Sequence, residues 1–181
     1  MARFAHVGEG VEVYQHALIL KPETISIGDD SRIDDYCRLE GGERLQIGRH
    51  VHVSSFSSII GGGTCLIGDM ADVAHGARVV TGSDQPDAAM STMSPTEWRH
   101  VELSTIVIDH LAFLANNAVM LPGTSLGVGA IAAAGSVVTK PVPPWEIWSG
   151  VPARPLRVRD RGALIARGVP VEELEARSLH R

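Results

Sequence analysis

An all-β solenoid, with short strands stacked in coils of three, is the fold this sequence predicts, and three observations predict it. An apolar residue recurs at every sixth position, a small residue follows four positions after it, and aromatic residues make up only 4% of a chain that is 44% apolar. A period of six matches neither the 3.6-residue helix nor simple strand alternation. It suits short strands joined by tight corners and stacked coil on coil. The prism inside such a stack is narrow, so it is filled by Val, Ile, Leu and Ala rather than by rings.

The apolar positions run Val7, Val13, Ile19; Ile27, Ile33, Leu39; Ile47, Val53, Ile59; Ile67, Val73, Val79; and, after a gap, Ile108, Leu114, Met120; Leu126, Ala132, Val138. Small companions such as Ser31, Cys37, Ser57, Ala71, Ala77, Ser83, Ala112, Ala118 and Ser136 leave room beside them, and only Glu23 and Glu43 break that rule. The first four coils start twenty residues apart rather than eighteen. The two extra residues (Ile25-Ser26, Leu45-Gln46, Cys65-Leu66) are expected on the third face, which should bulge there. Gly28, Gly48 and Gly68 each follow a coil's first residue and are expected to serve corners with unusual backbone angles.

The repeat breaks at "VVTGSDQPD", Val79 to Asp87. The next coil is due near residue 85 but begins at Ile108, so an arm spans about 85–107. Segments of that length are usually functional, and Met90, Met93, Trp98 and Leu103 make this one apolar enough to pack on a partner. After Arg159 the repeat ends, and "DRGALIARG" and "PVEELEARSLHR" read as helices, with Glu172 and Glu173 suiting a helix start. The expected organisation is a solenoid domain over 1–159 and a helical extension over 160–181 that caps its end.

Composition excludes some classes. A net charge of −5 argues against a nucleic-acid binder. A chain with no signal peptide and no long apolar run is expected to be cytoplasmic and not inserted in a membrane. Cys37 and Cys65 have neither metal-type nor redox-type spacing and are expected as buried reduced thiols.

The stretch "MLPGTSLGVGAIAAAGSVVTKPVPPWEIWSGVPARPLRVR" resembles the closing segment of the hexapeptide-repeat acyltransferases, and the repeat resembles that family up to about Arg159. "ISIGDDSRIDDYC" and "IGRHVHVSSFSSIIGGG" look like its galactoside-type O-acetyltransferase branch. The resemblance implies a left-handed parallel β-helix, a homotrimer, and acetyl-CoA as co-substrate lying along the edge between two subunits. It implies that Asn116, Ala134, Gly135 and Ser136 flank the pantetheine, and that Thr139 and Lys140 meet the nucleotide end. Arg154 and Arg157 are expected at the phosphates, and Trp145 or Trp148 over the adenine or as an end lid.

Attack of a sugar hydroxyl on a thioester needs a base with a pKa near neutrality and a donor for the oxyanion. Relatives place a histidine at the end of the third strand before the break; here that position holds Asp84. Three readings stay open. Asp84 orients the acceptor or another histidine while His52 acts as base; or the acceptor is a sugar amine that needs no strong base; or the protein is an inactive scaffold. Ser54, Trp98 and His100 are the candidate acceptor contacts. His75 resembles the first ligand of a γ-class carbonic anhydrase, but Val80 stands where the second would be, so no metal is expected. His110, at a coil corner, is expected to be solvated. The resulting reading is O-acetylation of a sugar or glycan precursor by direct transfer, with N-acetylation of an amino sugar nucleotide as the alternative.

Overall fold

Strands of mostly two to four residues alternate with corners that place one residue at positive φ, and three strands complete a coil. The computed structural model describes residues 3–180 and shows these coils as a parallel β-solenoid, the architecture of a left-handed β-helix. Each face is a ladder in which a residue pairs with its counterpart in the adjacent coil. On the first face Ile27, Ile47, Ile67 and Ile108 stack in register. On the second, Ile33, Val53, Val73, Leu114 and Ala132 do so. On the third the column is Leu39, Ile59, Val79, Met120 and Val138. All of these are buried, and each of the larger ones contributes roughly 1.5–3 kcal/mol of burial. The first coil is the exception: Val7 and Val13 are 46% and 38% exposed, because no coil lies beneath them.

Two details differ from expectation. The extra residues of the early coils lengthen the first face rather than making the third bulge: Ile25–Ile27, Arg44–Ile47, Thr64–Ile67 and Thr105–Ile108 are continuous strands there. They add a second inward column, Ile25, Leu45, Cys65 and Ile106, that is buried throughout. Gly28 and Gly48 also have a different task from the one expected. The positive φ falls two residues later, at Asp30 and His50. Glycine is needed at 28 because a Cβ would sit 2.7 Å from the Gly48 carbonyl carbon and 2.9 Å from the Arg49 nitrogen.

The chain leaves the prism at Gly82, not 85. Gly82–Asp84 pairs antiparallel with Val101–Leu103, and Thr105–Ile108 is already back in the first face. Ser83 is therefore exposed on this hairpin instead of filling a coil.

At the far end, Glu146–Ser149 extends the second face and is covered by the antiparallel strand Arg154–Val158. Helices α1 (Arg161–Ile165) and α2 (Val171–Ala176) follow and pack through Leu164, Val171 and Leu174 against Leu111 and Trp145. This places Trp145 in a packing role, with its Nε1–H donating to Glu175 at 2.8 Å. His110, expected in solvent, is 3% exposed. Its Nδ1 accepts the Asp69 N–H (2.7 Å), so its Nε2–H donates to the Arg177 carbonyl (3.0 Å). Asp109, fully buried, accepts from Ser178 Oγ at 2.6 Å and from the Leu179 N–H at 3.2 Å. The C-terminal segment is thus tied along the corner between the first and second faces. No helix among the described residues is long and apolar enough to cross a membrane.

Candidate active site

On the second face, the residue preceding each inward aliphatic points outward. Register places Arg32, His52 and Asp72 directly above one another on three successive coils. Asp34, one residue past the same strand in the second coil, closes the group. His52 Nε2 lies 2.9 Å from Asp34 Oδ2 and 3.0 Å from Arg32 Nη2. Arg32 Nε in turn sits 3.0 Å from Asp34 Oδ1. A single ring nitrogen cannot donate to Asp34 and accept from Arg32 at once. When Nε2–H donates to Asp34, the Nδ1 lone pair faces Ser54 Oγ at 3.4 Å and Asp72 Oδ2 at 3.8 Å. The imidazole can therefore take up a proton between two carboxylates while remaining 29% exposed. A groove of about 420 Å³ runs beside it, lined by Glu12, Arg32, His50 and His52 among others.

Asp72 is held above the usual carboxylate range, mainly because burial disfavours its charge; the positive charge of His52 and His75 opposes this, while Asp34 adds to it. Among the described residues, two buried side-chain polar atoms have no hydrogen-bond partner: Asp72 Oδ1 and Arg99 Nε. Such atoms are uncommon in folded proteins and call for an explanation. Each lies in one of the two places that Asp84 and His52 single out.

Asp84 belongs to the arm. Its Oδ1 lies 3.4 Å from Arg99 Nη2, both side chains being less than a quarter exposed. The Gln85 N–H donates to the His100 carbonyl and the Ala89 N–H to that of Trp98, both at 2.8 Å, so the arm is internally bonded. Trp98, Met90 and Met93 nonetheless stay largely exposed. The arm leaves the prism at the corner between the third and first faces, whereas His52 lies on the second face. One chain therefore does not bring Asp84, Trp98 and His100 to His52 and Ser54.

The expected coenzyme residues also divide. Asn116, Ala134 and Gly135 are exposed at the corner between the second and third faces. Thr139 and Lys140 are exposed one face further on, and Arg154 and Arg157 lie exposed on the last strand. Ser136 is fully buried, and its hydroxyl accepts the Gly150 N–H at 3.2 Å, so its side chain serves the coil interior. Trp148 packs against the core, and its Nε1–H is taken by Glu146 at 2.6 Å. Arg32, Asp34, Asp72 and Arg99 escaped the reading of the sequence. The twenty-residue spacing of Arg32, His52 and Asp72 was the signal that could have found three members of the first cluster.

A stack of hexapeptide coils with small residues at its later corners and an extruded arm defines the class: a β-helical transferase scaffold. WbbJ of Escherichia coli K12, assigned to lipopolysaccharide biosynthesis as an O-acetyl transferase, is 30% identical over 137 residues, 73% of this chain and 67% of the relative. The dTDP-4-amino-4,6-dideoxy-D-glucose acyltransferase of Escherichia coli is 29% identical over 164 residues, 89% of this chain and 85% of the relative. Among solved structures, a point mutant of AntD, an N-acyltransferase from Bacillus cereus, in complex with dTDP-4-amino-4,6-dideoxyglucose and coenzyme A superposes with a TM-score of 0.86 at 26% identity, covering 94% of this chain and 91% of that one. No protein-family model matches the chain. The chain belongs to the hexapeptide-repeat acyltransferases.

Proposed function

We propose that this protein transfers an acyl group directly from an acyl-CoA to the amine of a nucleotide-linked amino sugar. The observation that carries this reading is the likeness, over nearly the whole of both chains, to an enzyme solved with such a sugar and coenzyme A together. The full-length similarity to the dTDP-amino-sugar acyltransferase of Escherichia coli supports it. An amine attacks a thioester without a strong base once it is neutral, which suits a site where Asp84 stands in place of a histidine. The O-acetylation expected from the sequence is the second reading, favoured by the resemblance to WbbJ and to the galactoside O-acetyltransferase of Escherichia coli.

In this mechanism coenzyme A lies along the exposed Asn116, Ala134 and Gly135 edge, with Lys140, Arg154 and Arg157 toward its phosphates. Among the described residues, Arg154 and Arg157 bond only to backbone carbonyls, which leaves their charge uncompensated by carboxylates. His52, oriented by Asp34, which Arg32 in turn holds, accepts the proton released as the amine attacks, and Asp84 orients the acceptor from the arm. Because the two stand on opposite parts of one prism, they cooperate only across an interface between copies of the chain, as in the homotrimer that the family resemblance implies.

The test is acyl-CoA turnover against a panel of sugars and nucleotide-linked amino sugars. His52→Ala and Asp84→Ala are each expected to be nearly inactive, and their co-expression to restore activity, because mixed oligomers rebuild intact interfaces. Failure of the co-expressed pair to regain activity, or full activity of either single variant, sinks the shared site. No turnover with any acyl-CoA sinks the acyltransfer reading altogether.

A further inference from the structure

The corner between the second and third faces carries a ladder of exposed rings in its first coils. His16 stacks on Tyr36 with centroids 5.5 Å apart and an interplanar angle of 19°, and Tyr36 on Phe56 at 5.4 Å and 10°. Tyr36 and Phe56 are 57% and 67% exposed. In a chain with only three phenylalanines and two tyrosines, this concentrates scarce aromatic surface in water.

The backbone makes the placement more unusual. Tyr36 and Phe56 sit at φ of 64° and 65°, a conformation that is unfavourable for bulky side chains. The same corner of the later coils is occupied by Gly76, Asn117 and Gly135, residue types suited to that angle. At the corner between the first and second faces, Leu111 also adopts positive φ, but it is buried against Val171 and Leu174. Tyr36 and Phe56 gain no such burial. Strain kept by rings that stay mostly in water points to a ligand.

The column of rings ends at Phe56, because the next coil presents Gly76. The face of Phe56 toward that coil can therefore receive one more planar ring. Immediately beyond this corner, on the third face, Arg38, Ser58 and Arg78 stand in register on the three adjacent coils. Arg38 and Arg78 are exposed. Among the described residues neither takes part in an ion pair, whereas Arg32, Arg49, Arg99, Arg161 and Arg177 all do. A planar stacking surface beside two uncompensated guanidinium groups and a hydroxyl is the chemistry that recognises a nucleoside diphosphate.

We infer that the base of a nucleoside diphosphate stacks on Phe56, continuing the His16–Tyr36–Phe56 ladder, while Arg38 and Arg78 hold its diphosphate. Two nucleotides enter the proposed reaction, the acceptor's and the one within coenzyme A. The ladder lies on the first three coils, away from Asn116 and Gly135, so it takes the acceptor's. This inference rests on the nucleotide-linked acceptor proposed above.

The test is calorimetric titration of the full chain with dTDP and, separately, with coenzyme A. Wild type is expected to bind both. Phe56→Ala is expected to weaken dTDP binding about tenfold, with Phe56→Trp retaining it and coenzyme A affinity unchanged in both. Arg38→Gln combined with Arg78→Gln is expected to weaken dTDP binding and flatten its dependence on salt. Because these side chains are exposed, unchanged thermal unfolding of each variant shows that the fold is intact. Undiminished dTDP binding by Phe56→Ala overturns the inference, as does loss of coenzyme A binding in its place. Wild type that binds coenzyme A but not dTDP overturns both the inference and the nucleotide acceptor while leaving acyl transfer standing. Wild type that binds dTDP at the ladder but no acyl-CoA overturns the acyltransferase mechanism alone.

Discussion

Replacing Gly28 by alanine tests why glycine follows the first residue of a coil. The added Cβ would lie 2.7 Å from the Gly48 carbonyl carbon, 2.8 Å from its oxygen and 2.9 Å from the Arg49 nitrogen. All three are backbone atoms of the next coil, so no side chain can swing aside. Relief requires the Gly48–Arg49 peptide to move outward. That motion lengthens the Gly28 N–H to Ile47 carbonyl bond (2.9 Å) and the bond from the buried Ser31 hydroxyl to the Gly48 carbonyl (2.8 Å). Overpacking costs about 1–3 kcal/mol, and two weakened hydrogen bonds add about 1 kcal/mol each. The expected loss is about 3–5 kcal/mol. Gly123 provides the control: it has positive φ, yet a Cβ there meets nothing within 4 Å. Gly123→Ala should cost only the left-handed backbone penalty, about 1–2 kcal/mol. Urea unfolding followed by circular dichroism separates the two. Equal losses, or a smaller loss at Gly28, would refute the account based on close approach of the coils.

Other outcomes follow from the same geometry. Asp34→Asn should lower kcat about tenfold or more with little change in the KM of the acyl-CoA, because the carboxylate orients His52 rather than touching coenzyme. Asp72 keeps its proton more tightly folded than unfolded, so its charge destabilises the fold as pH rises above its ordinary value of 3.8. Asp72→Asn should therefore raise Tm at neutral pH, and the gain should vanish at pH values below that figure. Asp69 behaves oppositely. Burial pushes its pKa up, but hydrogen bonds from Arg49 and the charges of Arg49 and Arg177 outweigh that and lower it. Its stabilising contribution is thus complete above the ordinary carboxylate value and fades as pH falls through its lowered one. Asp69→Asn should speed hydrogen exchange in Val171–Ala176, which Arg177 helps to dock.

Much of the fold was legible because the hexapeptide period is a local record of a repeated geometry. Ile27, Ile47 and Ile67 announce their stacking by spacing alone. The break after Val79 was equally plain, since a missing coil start is visible without coordinates. Other features depend on distances between coils. The role of Gly28 was misread because its constraint comes from the backbone of Gly48, twenty residues away. His110 looked like a surface corner residue because its partners, the Asp69 amide and the Arg177 carbonyl, lie far along the chain in both directions. Asp34 and Asp72 went unread beside His52, although the coil repeat that aligned the core also aligned them.

The sequence by itself determined that this chain coils, how many residues each turn takes, most of the side chains that fill the prism and that an arm leaves it between the fourth and fifth coils. Those properties follow from a pattern that repeats every six residues and is satisfied within a coil and its neighbours. Only the tertiary structure decided that His52 sits between two carboxylates, that Asp84 pairs with Arg99 on a different corner, and that Tyr36 and Phe56 build an exposed stack. These depend on which outward side chains meet across coils and around a triangular section. Outward positions carry no packing constraint that would have written their partners into the local sequence.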